Sequence, residues 1–502
     1  MNDKMQQLKD RLRVINDLNS AAAVLHWDQA TQMPVGGGAA RARQLATLSR
    51  LAHEHFVDPA IGQLLDALQP EWEEAPPTED DGALYRYVRR EYERAIRVPA
   101  EYTERAAAHS TAAFSVWAAA RPQDDFAVVQ PYLEQSLQLS REYAHYFPGY
   151  DHIADPLISR AEEGMTAAEI RAIFAELRRA LVPLVQRIQA AAPVDNSCLF
   201  GDFPREKQYA FAREICTAFG YDFSRGRLDE THHPFAIRFA HGDVRITTRG
   251  RDDHLGDAFF ATLHEAGHAM YEQGVAEALD GLPTAHGTSS GVHESQSRGW
   301  ENLVGRSLAF WEWQYPRLQE CFPDLAAIPL AQFYAAINKV EPSLIRVAAD
   351  EVTYNLHVML RFDLELALLE GELSIEELPA AWNARYESDL GITPTDYRDG
   401  VMQDVHWYGI GIGGLFQGYT LGNLMSAQIH AAATHAHPEI PDEIRRGEYG
   451  TLHEWLRANI YTHGAKFTPK ELLQRVTGED LRVAPLVAYL QQKFGAIYGL
   501  SG

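Results

Sequence analysis

The sequence predicts a mainly α-helical protein with one short β-hairpin. Amphipathic stretches with helical periodicity follow one another through roughly the first two hundred residues and return near the C-terminus. A single pair of β-branched and aromatic runs flanks a glycine turn, which is typical of a hairpin. With 46% hydrophobic and 23% charged residues, the composition is that of a globular protein that buries a large core.

Helices are predicted in the first part of the chain wherever apolar residues recur with a helical period, and breaks rich in proline, glycine or acidic residues separate them. These helices span Met5–Leu25, Ala39–Leu51, Leu84–Ile96, Ala100–Ala120 and Phe126–Tyr143. Thr166 and Glu169 form a capping-box pattern, in which each side chain accepts a hydrogen bond from the backbone of the other residue. This pattern predicts a further helix that extends to Ala190.

Residues 236–249 are predicted to form the hairpin. Its arms, Ala236–Ala240 and Asp243–Arg249, are rich in β-branched and aromatic residues and flank a turn at His241-Gly242. The hairpin could offer an edge strand to which an extended peptide adds by backbone hydrogen bonds. It could equally serve only to brace the helix that follows, and the spacing leaves both alternatives open.

The segment Asp257–Gln273 is predicted to be a helix that contains the H-E-x-x-H pattern as His264, Glu265 and His268. The two histidines are one helical turn apart, so they share a face and can both bind a tetrahedral divalent metal. Glu265 lies beside them, close enough to take a proton from a water that the metal activates. Two ordinary histidines on a helix surface would give the same pattern, so a third ligand is needed to support a metal site.

Glu294 is the predicted third ligand. A loop, Gly281–Gly291, follows the predicted helix Asp257–Gln273 (the metal helix), and His293–Asn302 then begins a new helix. Two histidines and a glutamate leave the fourth position of a tetrahedral ion open for water, as a catalytic site requires. His293 could take the place of Glu294, but the set with a glutamate is the commoner one in hydrolytic enzymes.

Residues 341–370 are predicted to form one long helix that contains Arg346 and Asp350. At a spacing of four residues, these two side chains would form an intrahelical ion pair. Alternatively, Asp350 would orient Arg346 so that its guanidinium binds a carboxylate with two hydrogen bonds.

The stretch Trp407–Met425 is apolar enough to imitate a membrane span. It contains six glycines, and Asp404 and His406 stand just before it. These features favour a flexible loop pressed against a cavity over a helix that faces lipid.

Charge and cysteine usage exclude several classes of partner and site. The formal net charge of −24 argues against a nucleic-acid partner or an anionic membrane surface. The three cysteines, Cys198, Cys216 and Cys321, are too few and too scattered for a disulfide framework or a thiolate metal site. The N-terminal residues lack the apolar core of a signal peptide. We therefore expect a cytoplasmic protein that binds neither nucleic acid nor membranes.

The chain resembles the carboxypeptidase Taq family of metallocarboxypeptidases, and the matching motifs are spread over nearly its whole length. They are Trp27-Asp28 with Met33-Pro34, His233-Pro234-Phe235, Asp243-Val244-Arg245-Ile246-Thr247, the H-E-x-x-H pattern, His293-Glu294-Ser295-Gln296, Ile345-Arg346 with Ala349-Asp350, and Gly400 with Gln403-Asp404 and His406-Trp407. Together these motifs are far more specific than H-E-x-x-H alone.

The resemblance implies an almost wholly helical, two-lobed fold with a deep active-site groove, in a single catalytic domain that spans residues 1–502. Within it we expect an N-terminal helical lobe up to about residue 235, a metal- and substrate-binding region over roughly 236–425, and C-terminal helices over 426–502. The resemblance also implies a homodimer that contains one Zn²⁺ per chain, with Co²⁺ or another divalent ion as an alternative.

The implied activity is hydrolysis of the C-terminal peptide bond of peptides with a free C-terminus, which releases single amino acids with broad specificity. A metal-activated water would attack the bond, and Glu265 would be the general base. The implied metal ligands are His264, His268 and Glu294, the implied substrate-binding residues are Arg346, Asp243, Arg245 and Asp350, and the implied further catalytic residues are His406 and Tyr419.

Two other functions are compatible with parts of the sequence. An endo-oligopeptidase could use the same metal site to cleave inside short peptides, and the role of Arg346 distinguishes it, because only an exopeptidase needs a cation for a free C-terminus. A non-catalytic helical binding protein could contain H-E-x-x-H by accident, and metal analysis distinguishes that case. For His406, the alternative to catalysis is a core histidine that orients the glycine-rich stretch.

Overall fold

The computed structural model describes residues 3–500, and helices with one small sheet account for most of them. The mainly α-helical class is therefore confirmed. The helices are α1 Asp3–Thr31, α2 Gly38–Phe56, α3 Pro59–Trp72, α4 Asp80–Arg97, α5 Ala100–Ala120, α6 Phe126–His145, α7 Asp155–Ile158, α8 Ala167–Gln189, α9 Arg205–Phe219, α10 Asp257–Gly274, α11 Ser290–Arg298, α12 Leu308–Cys321, α13 Leu330–Ile337, α14 Thr353–Glu370, α15 Leu378–Leu390, α16 His406–Gly409, α17 Gln417–Ala436, α18 Ile440–Ile444, α19 Gly450–Asn459, α20 Pro469–Thr477 and α21 Ala484–Tyr498. The strands are β1 Leu228–Glu230, β2 Ala236–Ala240 and β3 Asp243–Thr248.

The chain folds into two compact units, and each unit is assembled from three separate segments. Unit 1 contains the chain up to residue 96, residues 195–337 and residues 426–480. Unit 2 contains residues 97–194, residues 338–425 and the chain from residue 481 onward. Each unit thus collects residues that are far apart in sequence.

The helices predicted for the first part of the chain are present, and most extend a few residues beyond their predicted ends. The capping box at the start of α8 is formed, with Thr166 accepting from the Glu169 backbone and Glu169 accepting from the Thr166 backbone. Helix α3 was not predicted. Asp58 caps its first turn, and its buried residues Ile61, Leu65 and Leu68 join the core that α1 and α4 also line.

The predicted hairpin is confirmed as β2 and β3, and a third strand accompanies it. The strand order is β1-β3-β2, with β1 parallel and β2 antiparallel to β3. The hydroxyl of Thr248 on β3 donates to the carbonyl of Ala258 on α10, and the hydroxyl of Thr262 on α10 donates to the Thr248 hydroxyl. These bonds hold the first turns of the metal helix against the hairpin, as the bracing alternative expected.

The prediction of one helix over residues 341–370 is wrong in its first part. Helix α14 begins only at Thr353, and before it lies an irregular segment with a short 3₁₀ turn at Arg346–Ala348. Asp350 explains the late start, because its carboxylate accepts from the backbone N–H groups of Val352 and Thr353 and from the Thr353 hydroxyl. An aspartate that bonds to backbone in this way favours the start of a helix over its interior.

The glycine-rich stretch is a loop only in its first part. After the short helix α16, residues 410–416 form a loop in which Gly411, Gly413 and Gly414 have positive φ angles. From Gln417 onward the chain is helical, so the loop prediction is wrong for residues 417–425. In the described part of the chain, no helix is long and apolar enough to cross a membrane. All three cysteines are free thiols.

Candidate active site

Gly267 permits a close contact between α10 and α11, the helices that contain the three candidate metal ligands. A Cβ atom at this position would lie 2.6 Å from Ser297 Cα and 2.7 Å from the Gln296 carbonyl oxygen. Only glycine therefore lets the two helices approach so closely. Residue 267 is one of the two variable positions of the H-E-x-x-H pattern, and yet the contact at this residue decides where Glu294 lies.

His264, His268 and Glu294 converge. Their ligand atoms all lie within 4.8 Å of one another, and Glu294 Oε2 is 3.7 Å from His264 Nε2 and 3.6 Å from His268 Nε2. Two imidazole nitrogens and one carboxylate oxygen at this spacing fit a single tetrahedral ion with bonds of about 2.0–2.2 Å. The donor set and its geometry therefore suit a divalent metal.

Further charged side chains hold two of these residues in place. Glu301 Oε2 lies 3.0 Å from His264 Nδ1, and Arg298 donates to Glu294 Oε1 (2.7 Å) and to Glu301. Burial alone would raise the pKa of Glu301, but Arg298, His264 and Arg306 lower it to about 2. Glu301 therefore stays ionised and orients His264, as carboxylates commonly do for metal-binding histidines.

His268 is oriented by a second histidine. His268 Nδ1 lies 2.8 Å from His293 Nδ1, and His293 Nε2 lies 2.6 Å from Glu272 Oε1, which also accepts from the Gly287 N–H. If His268 binds the metal through Nε2, its Nδ1–H donates to His293, and the Nε2–H of His293 donates to Glu272. His293 thus bonds to a ligand, whereas Glu294 contributes the third ligand atom of the cluster.

Glu265 is buried next to the proposed metal ligands. It is 5% exposed, and its Oε2 has no hydrogen-bond partner; Glu272 Oε2 also has none, but Arg238 Nε lies 3.6 Å from it. Burial raises the pKa of Glu265 to about 7; the positive His264 opposes this rise, and the nearby Glu294 and Glu301 add to it. A carboxyl group with such a pKa can both accept and release a proton near neutral pH.

Unit 2 contains a second cluster, centred on Arg346 and Asp404. Arg346 is 4% exposed, and it donates to Asp404 through both Nε (2.8 Å) and Nη2 (2.9 Å), while Nη1 donates to Tyr354 (3.1 Å). Neither alternative predicted for Arg346 and Asp350 is therefore formed. Asp350 bonds to the start of α14 instead, and a carboxylate 58 residues beyond Arg346 takes its place.

Asp404 also binds two side chains other than Arg346. Arg361 Nε donates to its Oδ2 (2.8 Å), and His406 Nδ1 lies 2.8 Å from its Oδ1. The other ring nitrogen of His406, Nε2, is 3.5 Å from the Tyr419 hydroxyl. The structure thus brings Arg346, His406 and Tyr419 together. Arg361 was not predicted to belong to this cluster, because it lies in none of the sequence motifs.

Asp243 and Arg245 lie on β3 and pair with each other. Arg245 donates to both carboxylate oxygens of Asp243, at 2.8 and 2.7 Å. Its guanidinium lies over the rings of Trp27 and Phe239, with distances of 4.4 and 4.9 Å to the ring centroids. This arrangement links the hairpin to α1.

All the known proteins to which this chain is compared below are carboxypeptidases. A family model described as carboxypeptidase Taq (M32) metallopeptidase matches residues 7–494. Thermostable carboxypeptidase 1 of Thermus thermophilus is 45% identical, over 98% of this chain and 99% of that protein. Carboxypeptidase 1 of Bacillus subtilis is 38% identical, over 97% of each. The crystal structure of an M32 carboxypeptidase from Deinococcus radiodurans has a TM-score of 0.97 and 45% identity, and the match covers 99% of this chain and 100% of that one.

Proposed function

The chain belongs to the carboxypeptidase Taq (M32) metallopeptidase family and is a metallocarboxypeptidase. From this premise we propose that it releases single C-terminal amino acids from peptides, with broad specificity and with Glu265 as the general base. The observation that supports this proposal most directly is the buried, unpartnered oxygen of Glu265 next to the converging His264, His268 and Glu294. The broad specificity is proposed from the family resemblance.

The divalent metal of this family would be held by His264, His268 and Glu294, and we propose zinc, with cobalt as an alternative. Two imidazole nitrogens and a carboxylate oxygen suit either ion. When bound, the ion supplies Lewis acidity, which makes a water more acidic and polarises the scissile carbonyl. Glu301 and His293 keep the two imidazoles in the orientation that the ion needs.

Glu265 would move the proton of the reaction. In its ionised form it accepts a proton from the attacking water, and it then donates that proton to the leaving amine. A pKa raised to about 7 by burial suits both steps, because the protonated and ionised forms are then close in free energy at neutral pH.

His406 and Tyr419 would stabilise the developing oxyanion. Because His406 uses Nδ1 toward Asp404, only Nε2 can turn to a substrate, and it donates a hydrogen bond there when the ring carries both protons. The alternative, a histidine that only orients the following loop, predicts that a His406→Gln variant loses thermal stability and activity in parallel.

Arg346 would bind the terminal carboxylate of the substrate. Three of its five N–H groups are used by Asp404 and Tyr354, which leaves two for a carboxylate. We retain Asp243 and Arg245 as proposed substrate-binding residues because of the family resemblance. Asp350 would contribute indirectly, because it fixes the start of α14 next to the segment that contains Arg346.

Two further properties that we propose are the oligomeric state and the cellular compartment. The family resemblance favours a homodimer, which light scattering coupled to size-exclusion chromatography tests directly. Three free cysteines favour a reducing compartment such as the cytoplasm, where disulfides are rare.

The proposed activity is tested with one peptide prepared as the free acid and as the C-terminal amide. Each is incubated with the enzyme, with the chelated enzyme and with the enzyme after zinc or cobalt is added back, and the products are identified by mass spectrometry. We expect stepwise loss of C-terminal residues from the acid only, with activity lost on chelation and restored by metal. Equal cleavage of the amide would favour the endo-oligopeptidase alternative.

A further inference from the structure

We propose that Arg361 is a positioning residue for substrate binding: by sharing the Asp404 carboxylate with Arg346, it leaves Arg346 with uncompensated positive charge for the substrate's terminal carboxylate. The inference rests on the proposed function, because it takes Arg346 to be the group that binds that carboxylate. It adds a residue that lies outside the motifs shared with the family.

The Asp404 carboxylate has four hydrogen-bond donors around it. Its Oδ1 accepts from Arg346 Nη2 and faces His406 Nδ1, and its Oδ2 accepts from Arg346 Nε and Arg361 Nε, all at 2.8–2.9 Å. The guanidinium groups lower the pKa of Asp404 far below its usual range despite its burial. The group is therefore a permanent anion whose single charge is divided between two permanent cations.

Arg361 cannot contact a substrate itself. It is 0% exposed, its Nη1 donates to the His357 carbonyl, and its Nη2 donates to Gln403 Oε1. Its guanidinium also lies over the Trp382 ring, 4.6 Å from the centroid. Arg361 can therefore influence the substrate only indirectly, and its hydrogen bonds to Asp404 and Gln403 connect it to Arg346.

Gln403 joins the two arginines a second time. Its Oε1 accepts both from the backbone N–H of Arg346 and from Arg361 Nη2, each at 2.9 Å. Its Nε2 donates to the carbonyls of Leu344 and Asp399. The amide has no charge, so it fixes the positions of the arginines without reducing their excess of positive charge.

The other titratable groups near the cluster do not cancel this excess. Burial, and then the positive charge of Arg361 and Arg346, holds the pKa of His357 well below its usual range, so that ring is neutral. Burial raises the pKa of Glu365 to about 7, so at neutral pH it is only partly ionised. Two guanidinium groups thus face one full carboxylate. A buried excess charge is unfavourable until a counter-ion arrives, and a terminal carboxylate supplies one.

The test measures binding rather than turnover. In the metal-loaded Glu265→Gln protein, isothermal titration calorimetry compares a short peptide as free acid and as amide. Arg361→Gln removes the charge and should weaken binding of the acid about tenfold while leaving the amide unchanged. Arg361→Lys keeps the charge but loses the fork of hydrogen bonds, so it should weaken binding of the acid clearly less than Arg361→Gln does. Thermal melts verify that both variants fold.

A second variant makes an opposite prediction. Asp404→Asn removes the shared anion and increases the excess of positive charge, so binding of the free-acid peptide should stay the same or tighten. In the protein that retains Glu265, the same substitution should lower turnover, because His406 loses its partner. A purely structural role for the cluster predicts weaker binding instead. If Arg361→Gln does not fold, the affinity of Asp404→Asn for the free-acid peptide tests the proposed role of Arg361.

The outcomes separate this inference from the function on which it rests. If the parent protein prefers the acid over the amide and Arg361→Gln keeps that preference, only the role of Arg361 is overturned. Weaker acid binding by Asp404→Asn has the same consequence. If the parent protein binds acid and amide equally, the role of Arg346 is overturned, and the inference fails with it.

Discussion

At the scale of single residues, the chemistry depends on how a few side chains are paired. Glu301, Glu272 and Glu294 each have a carboxylate oxygen that is paired with an arginine, a histidine or a backbone donor. These partners lower the pKa of the three carboxylates against the effect of burial, whereas for Glu265 the effect of burial prevails and raises the pKa. The same residue type thus has different properties within one site.

Glu265→Gln should keep the metal and lose the activity. Glutamine has nearly the same shape but cannot accept the proton, so we expect kcat to fall by about 10²–10⁴-fold or more. Metal content by atomic absorption should match that of the parent protein, because Glu265 is not among the ligands. Near-normal turnover in this variant would show that another group is the base.

His293→Ala should weaken metal binding. It removes the partner that holds His268 Nδ1 and leaves Glu272 without its histidine, and loss of such a partner typically costs about 10–100-fold in metal affinity. Competition with a chromogenic chelator measures this affinity. His435→Ala, at an exposed position of α17, is the control and should leave it unchanged.

Glu365 should make stability depend on pH. Its pKa is raised to about 7 in the folded protein from a usual value of 4.5, so the folded state binds more protons than the unfolded state between these values. The contribution of Glu365 to the free energy of unfolding should therefore fall as pH rises through this window and level off above it. Glu365→Gln should remove this contribution, so the variant should gain up to about 3 kcal/mol over the parent above pH 7. Urea unfolding across the window tests this, and parallel profiles for both proteins would contradict it.

At the scale of secondary-structure elements, the site depends on the packing of α10 against its neighbours. The hairpin holds the first turns of α10 through Thr248 and Thr262, and Gly267 lets α11 approach the centre of α10. Helix α10 therefore presents two of the proposed ligands, and the packing of α11 adds the third.

Gly267→Ala should damage both the packing and the metal site. The new Cβ would overlap Ser297 Cα and the Gln296 carbonyl, which are backbone atoms that cannot move away alone. We expect a loss of about 1–3 kcal/mol of stability together with weaker metal binding. Gly450→Ala, at the start of α19 with no atom within 4 Å of the new Cβ, is the matched control. Equal metal affinity in both variants would contradict the role assigned to Gly267.

At the scale of the whole molecule, each proposed group is assembled within one compact unit. The metal ligands lie in unit 1, and the Arg346 cluster lies in unit 2, whose segments come from three parts of the chain. The two groups can therefore be tested separately. Metal affinity reports on the proposed ligands in unit 1, and the affinity for a peptide with a free C-terminus reports on the Arg346 cluster in unit 2.

Removing the metal should lower the thermal stability of the protein. A ligand that binds only the folded state stabilises it by about 2.7 kcal/mol when present at a hundred times its Kd. Differential scanning calorimetry should show a lower Tm after chelation and recovery on adding zinc. The Glu265→Gln variant should recover fully, and Gly267→Ala only in part. A Tm that is independent of metal in the parent protein would contradict the assigned ligand set.

The sequence by itself determined the features that depend on neighbours along the chain. The helices, the hairpin, the capping box at Thr166 and the shared face of His264 and His268 all follow from local periodicity and hydrogen bonding. The helical class was predictable for the same reason. The position of Glu294 after the loop and the spacing of Arg346 and Asp350 suggested roles for Glu294 and Arg346, and the resemblance to the family added the catalytic role of His406.

Only the tertiary structure decided which distant groups pair. Spacing favoured Asp350 as the partner of Arg346, but Asp350 bonds to the backbone at the start of α14, and Asp404 takes the arginine instead. Arg361 and the contact at Gly267 also involve residues that are far apart in sequence or on different helices. The physical reason is that a buried charge must find a partner wherever packing brings one, and no local rule specifies which segments packing brings together.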